Sequence, residues 1–407
     1  MNKFRFLTAG ESHGKGLISI IEGMVADLPL QAEYINKELK RRQRGYGRGP
    51  RMAIEEDKAE IISGVRYGLT MGSPIALHIT NRDWQNWQEQ LSIAPLGGKI
   101  EPITRPRPGH ADLAGVTKYG LKDIRPIIER ASARETAARV AAGAVAKRFL
   151  EEFGVAINSH TVAIGQCHCE RSEAISSEDS KVVNWQQVEA SPVRCANVEL
   201  EQAMMVAIDE AKANGDTLGG IFEVIATGVP VGLGSHVHWD RRLDGKIAQA
   251  IMSINAVKGV EIGSGFVLGA LKGSEAHDVI EPSPQTLSLE GRGLGEGEAP
   301  QSLPWQHVTN RAGGIEGGMS NGEPIVVRAV VKPIATLANS LVSIDLRSGE
   351  VVKAHYERSD ICVVPAAGVI AEAMLAIVLA DDCLGKFGGD NLKEATENYH
   401  NYLKGSS

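Results

Sequence analysis

The most constraining feature of this sequence is an alanine-rich stretch that runs from about Asp123 to Phe153. Alanine is the strongest helix former, and the larger apolar residues of the stretch recur at helical spacing. The stretch therefore predicts one long helix whose small side chains favour close packing. Its arginines could face a ligand at one end: Arg125, Arg130, Arg134 and Arg139.

A second apolar stretch, Cys362 to Ala380, contains Pro365 and Glu372 and is barely long enough to cross a bilayer. It therefore predicts a buried helix and not a membrane span. The N-terminus lacks the uninterrupted apolar segment and the small-residue cleavage site of a secretory signal. We expect a cytoplasmic protein that makes no contact with a membrane.

The cysteines also indicate a reducing compartment, because their number is odd and their spacing is not that of a disulfide framework. They are Cys167, Cys169, Cys195, Cys362 and Cys383. Cys167, His168 and Cys169 could donate to a metal, but the second cysteine pair that completes a zinc site is missing. We therefore expect no metal.

Strand-like runs rich in β-branched residues alternate with helical patterns along the chain. The predicted strands are 4–8, 17–25, 59–65, 73–80, 155–165, 219–229, 265–271 and 324–332, and the other predicted helices are 31–44, 199–214, 243–257 and 362–384. With 407 residues, 43% of them hydrophobic, the chain can bury a large core. No strand-to-helix turn carries a GxGxxG motif, so a Rossmann domain is not supported.

Two polar, turn-rich segments interrupt this alternation, at 167–181 and 281–301. Neither shows a sustained apolar period. We expect both to be surface loops inserted between regular elements.

The net charge of −7 argues against general affinity for nucleic acid, yet arginines are concentrated locally. One cluster spans 41–51, and Arg105 and Arg107 form another. Most charge runs are solvated faces, but these arginines alternate with glycine and proline. Guanidinium groups bind carboxylates and phosphates in a bidentate manner, so a small polyanion is the better partner.

Two of the eleven histidines stand in unusual contexts. His13 lies in "GESHGKG", where glycines allow a sharp turn, and His110 lies in "RPRPGHAD" beside Arg107 and Asp112. Imidazoles near cations can protonate an anionic leaving group near neutral pH. The alternative is that both histidines only cap turns.

Two further segments allow both a structural and a functional interpretation. The glycine-rich segment 310–322 lets backbone N–H groups approach a ring edge or a phosphate, although a hairpin loop explains it equally. Asp360 precedes the apolar C-terminal helix. It could cap that helix or hold a carboxylate beside a reactive centre.

Taken together, these segments resemble the chorismate synthase family, in family order from residue 10 to about 385. The resemblance is carried by the blocks "GESHGKGLISIIEG", "GYGRGPRM", "ISGVRYGLTMGSPIALHITNRD", "RPGHAD", "ERASARETAARVAAGA", "SINAVKGVEIGSGF", "NRAGGIEGGMSNGEPI", "KPIAT" and "ERSD". The two polar segments fall between blocks. One departure is Ile361, where a proline or a smaller residue is expected beside Asp360.

The resemblance implies a 1,4-elimination of phosphate from 5-enolpyruvylshikimate 3-phosphate that yields chorismate and consumes no net redox equivalents. The ring hydrogen that leaves is not acidic enough for an ordinary side-chain base. Reduced FMN, the cofactor that the family uses, can lend electron density to the substrate and take it back.

The resemblance also implies roles for individual residues. His13 would protonate the leaving phosphate, His110 would act as an acid near the flavin, and Asp360 would serve as a base toward flavin N5. The implied substrate ligands are Arg42, Arg48, Arg107 and Arg134. The implied FMN ligands are Arg130, Ala131, Ser132, Asn255, Ala256, Gly317, Lys332, Pro333, Ile334, Ala335, Thr336 and Arg358.

The family fold is an α+β sandwich in which antiparallel sheets pack with helices, and it implies a single domain over 1–407 and a homotetramer. The chain carries no nicotinamide motif, so NADPH would act indirectly, through an external flavin reductase. Two rival functions remain at this point. One is a nucleic-acid-binding protein that uses the 41–51 cluster, and the other is a flavin-independent phosphate lyase or phosphatase that uses His13 and His110.

Overall fold

The structure is a computed structural model that describes residues 3–49, 54–95, 100–168, 183–283 and 304–405. Most of the two predicted surface loops, 169–181 and 284–301, lies outside these residues, and so do Cys169 and Arg51.

Strands and helices alternate along the described chain. The strands are β1 Arg5–Ala9, β2 Gly16–Glu22, β3 Ala26–Pro29, β4 Ala59–Ser63, β5 Val65–Arg66, β6 Leu69–Met71, β7 Ile75–Thr80, β8 Ala156–Ile164, β9 Cys167–His168, β10 Gly220–Thr227, β11 Val257–Ile262, β12 Ile280–Pro282, β13 Trp305–His307, β14 Ile315–Glu316, β15 Met319–Ser320, β16 Ile325–Val331, β17 Val342–Ile344 and β18 Val351–Lys353. The α-helices are α1 Ala32–Gln43, α2 Asp112–Tyr119, α3 Arg125–Ala131, α4 Thr136–Glu151, α5 Trp185–Ala190, α6 Val198–Ala213, α7 Leu243–Met252, α8 Gly273–Ala276, α9 Val364–Phe387 and α10 Leu392–Gly405. Short 3-10 helices cover Arg82–Asn86, Ala133–Glu135, Trp239–Arg241 and Gly265–Ala270.

Two antiparallel sheets form the outer layers of the described molecule. Sheet 1 has the order β1-β2-β7-β4, and sheet 2 has the order β11-β16-β10-β8-β9. Helix α4 packs on sheet 1 against β2 and β7, while α9 packs on sheet 2 against β8 and β10. Because α4 and α9 also pack on each other, the layers run sheet, helix, helix, sheet. The predicted α+β sandwich with antiparallel sheets is confirmed.

The two central helices approach closely because their facing residues are small. A Cβ added at Gly143 of α4 would lie 2.3 Å from the Cβ of Ala373 on α9. Helix α9 is long and apolar enough to cross a membrane, but 89% of its apolar 18-residue window is buried inside the protein. It is the buried core helix that the sequence predicts.

The prediction of one helix over 123–153 is wrong, because the helix is interrupted at Ser132. Ser132 has extended backbone angles (φ −64°, ψ 140°), and its side chain accepts a hydrogen bond from the backbone N–H of Arg134. The chain then passes through the 3-10 turn Ala133–Glu135 into α4. Serine competes for backbone hydrogen bonds in this way and favours a cap over a helix interior.

Three other predicted elements need correction. The predicted strand 265–271 is a 3-10 helix, and the predicted helix 243–257 ends at Met252 and gives way to β11. The predicted strand 59–65 divides at Gly64 into β4 and β5, and β6 follows it and pairs with β3. One cluster of buried apolar side chains extends from Phe4 to Ala395. That 1–407 forms a single domain stays a prediction.

Candidate active site

A cavity of about 700 Å³ opens where several loops meet the N-terminal half of α9. This volume lies in the usual range for small-molecule sites. Of the residues predicted for a site, those lining the cavity are His13, Arg42, Arg48, Arg107, His110, Ala131, Ser132, Arg134, Asn255, Ala256, Lys332, Pro333, Ile334, Ala335, Thr336, Arg358 and Asp360.

Two predicted residues, Arg130 and Gly317, do not line this cavity. The Arg130 guanidinium donates hydrogen bonds to the backbone oxygens of Thr8 and Gly10, at 3.0 and 3.2 Å, so it braces the loop that carries His13. Gly317 lies in the turn between β14 and β15 with a φ of +60°, a conformation that favours glycine.

His13 is held from behind by Glu129 of α3. The backbone N–H of His13 donates to one carboxylate oxygen of Glu129 at 2.7 Å, and the ring Nδ1 lies 3.0 Å from the other. The Glu129 side chain is 1% exposed. Burial acts to raise the pKa of Glu129, but hydrogen bonds and charge from His13, together with the charge of Arg125, outweigh it and lower that pKa.

Trp87 and Arg125 complete the surroundings of His13. The Trp87 ring lies 4.1 Å from the His13 ring, centroid to centroid, and the Arg125 guanidinium lies 5.0 Å from the Trp87 centroid. Arg125 Nη1 bridges Glu129 at 3.2 Å and Glu357 at 2.5 Å. Burial opposes the ionisation of Glu357, but His355 and Arg125 outweigh it and lower its pKa to about 2.

His110 belongs to a second charged cluster. Its Nδ1 lies 2.5 Å from Asp112 Oδ1, and Arg107 donates to the same carboxylate through Nε at 2.8 Å and Nη2 at 3.0 Å. Arg107 Nη1 also donates to the Thr336 hydroxyl at 3.0 Å. Burial opposes the charge on Asp112, but His110 and Arg107 hold the pKa of this carboxyl far below its usual range.

Asp57 holds two of the predicted substrate arginines. Its carboxylate accepts a hydrogen bond from Arg42 Nη1 at 3.2 Å and another, shorter one from Arg134. Burial and repulsion from Arg48 and Arg134 lower the pKa of Arg42 to about 10, so its guanidinium stays charged at neutral pH. Asp57 was not predicted, since no sequence spacing relates it to either arginine.

Asp360 faces the end of the first arginine cluster. It accepts a hydrogen bond from the backbone N–H of Gly49 at 2.6 Å and pairs with Arg48 at 3.1 Å. Because α9 begins at Val364, Asp360 does not cap this helix. Ile361 packs against the core, and its backbone N–H donates to the Gly47 oxygen at 2.7 Å, so the departure from the family pattern faces away from the cavity.

Most of the residues predicted to hold a flavin line the same cavity. The side-chain amide of Asn255 donates to the Ala131 oxygen at 3.0 Å, and the Ser132 hydroxyl donates to Ser12 at 3.0 Å. Lys332 donates to the Gly109 oxygen. Burial, with repulsion from Lys258, lowers the pKa of Lys332.

Some polar atoms of the cavity-lining residues lack a hydrogen bond. Within the described residues, Asn255 Oδ1 and Arg134 Nη2 are buried and make no hydrogen bond, although Arg134 Nη2 has an ion-pair distance of 3.7 Å to Glu55. Buried polar atoms are normally paired, so these two belong to the atoms of the lining residues that a bound ligand could satisfy.

The cavity is richer in cations than in carboxylates. Among the residues that the structure describes, seven cationic side chains line it against three carboxylates, while further carboxylates behind the wall hold the guanidinium groups in place. Such an arrangement binds a ligand with several anionic groups, and its two imidazoles can exchange protons with that ligand.

Several lining residues were missed by sequence reasoning: Asp83, Trp87, Thr136, His355, Tyr356, Glu357 and Ser359. Glu129, behind the wall, was missed too, although it stands in the "ERASARE" block. It lies 116 positions from His13, so no local spacing links the two.

Comparisons with known proteins agree with this fold and show a family. A family model described as chorismate synthase matches residues 4–384. The chorismate synthase of Aquifex aeolicus is 54% identical over 403 residues, covering 98% of this chain and 97% of its own. That of Moorella thermoacetica is also 54% identical, over 406 residues, with 98% and 99% covered. A crystal structure of chorismate synthase superposes with a TM-score of 0.76 at 45% identity, covering 99% of this chain and 98% of that chain.

Proposed function

The chain belongs to the chorismate synthase family, a family of carbon–oxygen lyases of aromatic amino acid biosynthesis, and from this premise we propose that its cavity binds 5-enolpyruvylshikimate 3-phosphate beside reduced FMN. The substrate carries one phosphate and two carboxylates. The observation that carries the proposal is the convergence of Arg42, Arg48, Arg107 and Arg134 on the cavity that also holds both histidines.

The chain's own residues fit a flavin. The cavity is large, the Asn255 Oδ1 is a buried acceptor without a donor among the described residues, and Ala256 adopts a left-handed φ of +67°. Asn255, Ala256, Ala131, Ser132, Arg358 and the segment Lys332–Thr336 would hold FMN, and Lys332 would face its phosphate. When bound, reduced FMN supplies electron density to the substrate without net redox change. Arg130 and Gly317 lie off this cavity and remain proposed ligands from the family resemblance alone.

Each arginine predicted to bind the substrate is oriented by a carboxylate. The cationic groups therefore need little reorganisation when the substrate enters. Asp57 orients Arg42 and Arg134, Asp112 orients Arg107, and Asp360 pairs with Arg48. These guanidinium groups would clamp the phosphate and the carboxylates and hold the substrate ring in one orientation.

The two histidines would act as acids at different ends of the substrate. His13 would donate a proton to the leaving phosphate, and His110, whose Nδ1 faces Asp112, would donate a proton near the flavin. Asp360 would accept the proton held at flavin N5. Closure of the cavity by bound ligand would exclude water, which strengthens each of these charge interactions.

Anaerobic turnover of the substrate, with and without photoreduced FMN, tests the proposal. We expect chorismate, followed by its absorbance, only in the presence of reduced flavin. Phosphate release without flavin would overturn the proposal in favour of a flavin-independent lyase or phosphatase. A nucleic-acid-binding function, already disfavoured by the net charge of −7, would show steeply salt-dependent binding instead.

The assembly and the source of electrons are part of the proposal. Leu7 and Ile20 pair across β1 and β2 on the outer face of sheet 1 and are 67% and 44% exposed, and Ile18 on the same face is 43% exposed. Such an apolar face supports burial against another copy in a homotetramer. An external reductase that draws on NADPH would supply the reduced flavin in the cytoplasm.

A further inference from the structure

We propose that Glu129 is a positioning residue for His13, which keeps a proton on Nδ1 of the ring and presents Nε2 to the cavity. The use of that nitrogen as an acid rests on the proposed function. The orientation of the His13 ring depends only on contacts within this chain.

Glu129 contacts both the backbone and the ring of His13. One carboxylate oxygen accepts the His13 backbone N–H at 2.7 Å, and the ring Nδ1 lies 3.0 and 3.2 Å from the two oxygens. The backbone oxygen of Glu129 also accepts the N–H of Ser12 at 3.1 Å. An ionised carboxylate only accepts hydrogen bonds, so Nδ1 must carry the hydrogen.

The His13 ring cannot easily rotate away. Trp87 covers one face at 4.1 Å between centroids, with 30° between the ring planes. Trp87 is itself fixed, because its indole N–H donates to Asp83 at 3.2 Å. Since Nδ1 is engaged, Nε2 is left for a ligand, and it makes no hydrogen bond within the described part of the chain.

Glu129 is itself locked in place. Arg125 lies one helical turn earlier on α3 and donates to Glu129 at 3.2 Å. The same Arg125 nitrogen also donates to Glu357. Glu357 precedes Arg358 and Asp360 in one short segment. The orientation of His13 is therefore coupled to the segment that carries the proposed base.

The charges around the His13 ring come from several elements. Glu129 and Arg125 belong to α3, Glu357 and His355 to the segment before α9, and Asp83 to the 3-10 turn, while Arg48 and Arg134 face the same cavity. The charge of His13 helps to lower the pKa of Glu129.

Chemical modification of the imidazoles tests this in the protein without flavin or substrate. Diethyl pyrocarbonate reacts with the neutral ring, so the rate at His13, read by peptide mass spectrometry between about pH 5 and 9, gives its titration midpoint. In Glu129→Gln we expect that midpoint to fall, because the ring loses an adjacent opposite charge.

Two other variants separate positioning from general loosening. In Arg125→Gln the His13 midpoint should rise, because a nearby cation is lost while Glu129 remains. This variant still tests the inference if Glu129→Gln does not fold. In Asp112→Asn the His13 midpoint should stay unchanged. The exposed His400 serves as the internal control in every sample. An unchanged His13 midpoint in a folded Glu129→Gln protein, or a fall in Arg125→Gln, overturns the inference.

Turnover with photoreduced FMN adds a separate measurement. In Glu129→Gln we expect kcat to fall roughly 10- to 100-fold, part of what a general acid contributes, with KM changed by less than about threefold. If the unaltered protein makes no chorismate while the midpoints shift as expected, the proposed function fails and the positioning role stands. If it makes chorismate and the midpoints do not move, only the positioning role fails.

Discussion

Individual carboxylates pair with the arginines of the cavity, which allows a cationic site within an acidic protein. Each predicted substrate arginine contacts a carboxylate, and Asp57 serves both Arg42 and Arg134. Burying a charge without a partner is costly, and breaking a buried pair leaves that cost uncompensated. These carboxylates therefore stabilise the guanidinium groups and orient them before a ligand arrives.

Substitution of His110 tests the proposal that this residue acts as an acid. In His110→Ala we expect turnover with photoreduced FMN to fall at least about 100-fold, the low end of a general acid's contribution, because the side chain that donates the proton is gone. Substrate binding, measured by calorimetry, should change little, since Arg107 keeps its contacts with Asp112 and Thr336.

The matched control for that variant is His400→Ala, whose exposed ring lies on α10, away from the cavity. It should keep both turnover and binding. Unchanged turnover in His110→Ala would contradict the role assigned to His110.

Among the secondary-structure elements, two local features direct side chains into the cavity. The interruption at Ser132 turns the chain between α3 and α4, so that Ala131, Ser132 and Arg134 all line the cavity. On α1, the neighbours Arg41 and Arg42 diverge because consecutive helix residues point about 100° apart. Arg41 binds the buried Glu372 of α9 at 2.6 Å, while Arg42 reaches the cavity.

The close approach of α4 and α9 predicts a cost for any added methyl group. Gly143→Ala would place a Cβ 2.3 Å from Ala373 Cβ and 2.8 Å from its backbone oxygen, so the helices would have to separate. We expect the free energy of unfolding, measured in urea, to fall by about 1–3 kcal/mol despite alanine's better helix propensity.

Gly385→Ala is the control for that prediction, because Gly385 lies at an exposed position of α9 and an added Cβ there meets no atom of the described residues within 4 Å. It should leave stability unchanged or raise it by up to about 1 kcal/mol. Equal effects of the two substitutions would show that helix packing does not limit stability here.

For the whole molecule, buried carboxylates predict a loss of stability in acid. The pKa values of Glu129, Glu223 and Glu372 are lowered, and that of Glu357 falls to about 2. Burial opposes each charge, and neighbouring cations outweigh it. A lowered folded-state pKa contributes stability that is present above the unfolded value, about 4.3 for Glu, and is lost as pH falls toward the folded value.

We therefore expect the urea midpoint, measured at one protein concentration, to hold between about pH 7 and 5 and to fall steeply between about pH 4.5 and 2. Each group contributes on the order of 1.4 kcal/mol per unit of pKa difference. A midpoint that stays constant down to pH 3 would contradict this account.

The sequence by itself determined the regular elements and the residue types of the site. The runs of β1, β2, β8, β10 and β16, and the helices α1, α6 and α9, follow from local periodicity and were predicted within a few residues. The ordered blocks indicated the family, and most of the predicted ligands line one cavity. These features are local, so a short window of sequence carries them.

Only the tertiary structure decided how these parts meet. It showed the interruption at Ser132, the pairing of Glu129 with His13 across 116 positions, and the contact of Arg41 with Glu372 across 331 positions. A hydrogen bond depends on distance and direction in space, and these are set by the packing of α4 between sheet 1 and α9. Residue order along the chain does not encode that distance locally, so the partners of the catalytic candidates became visible only in the folded molecule.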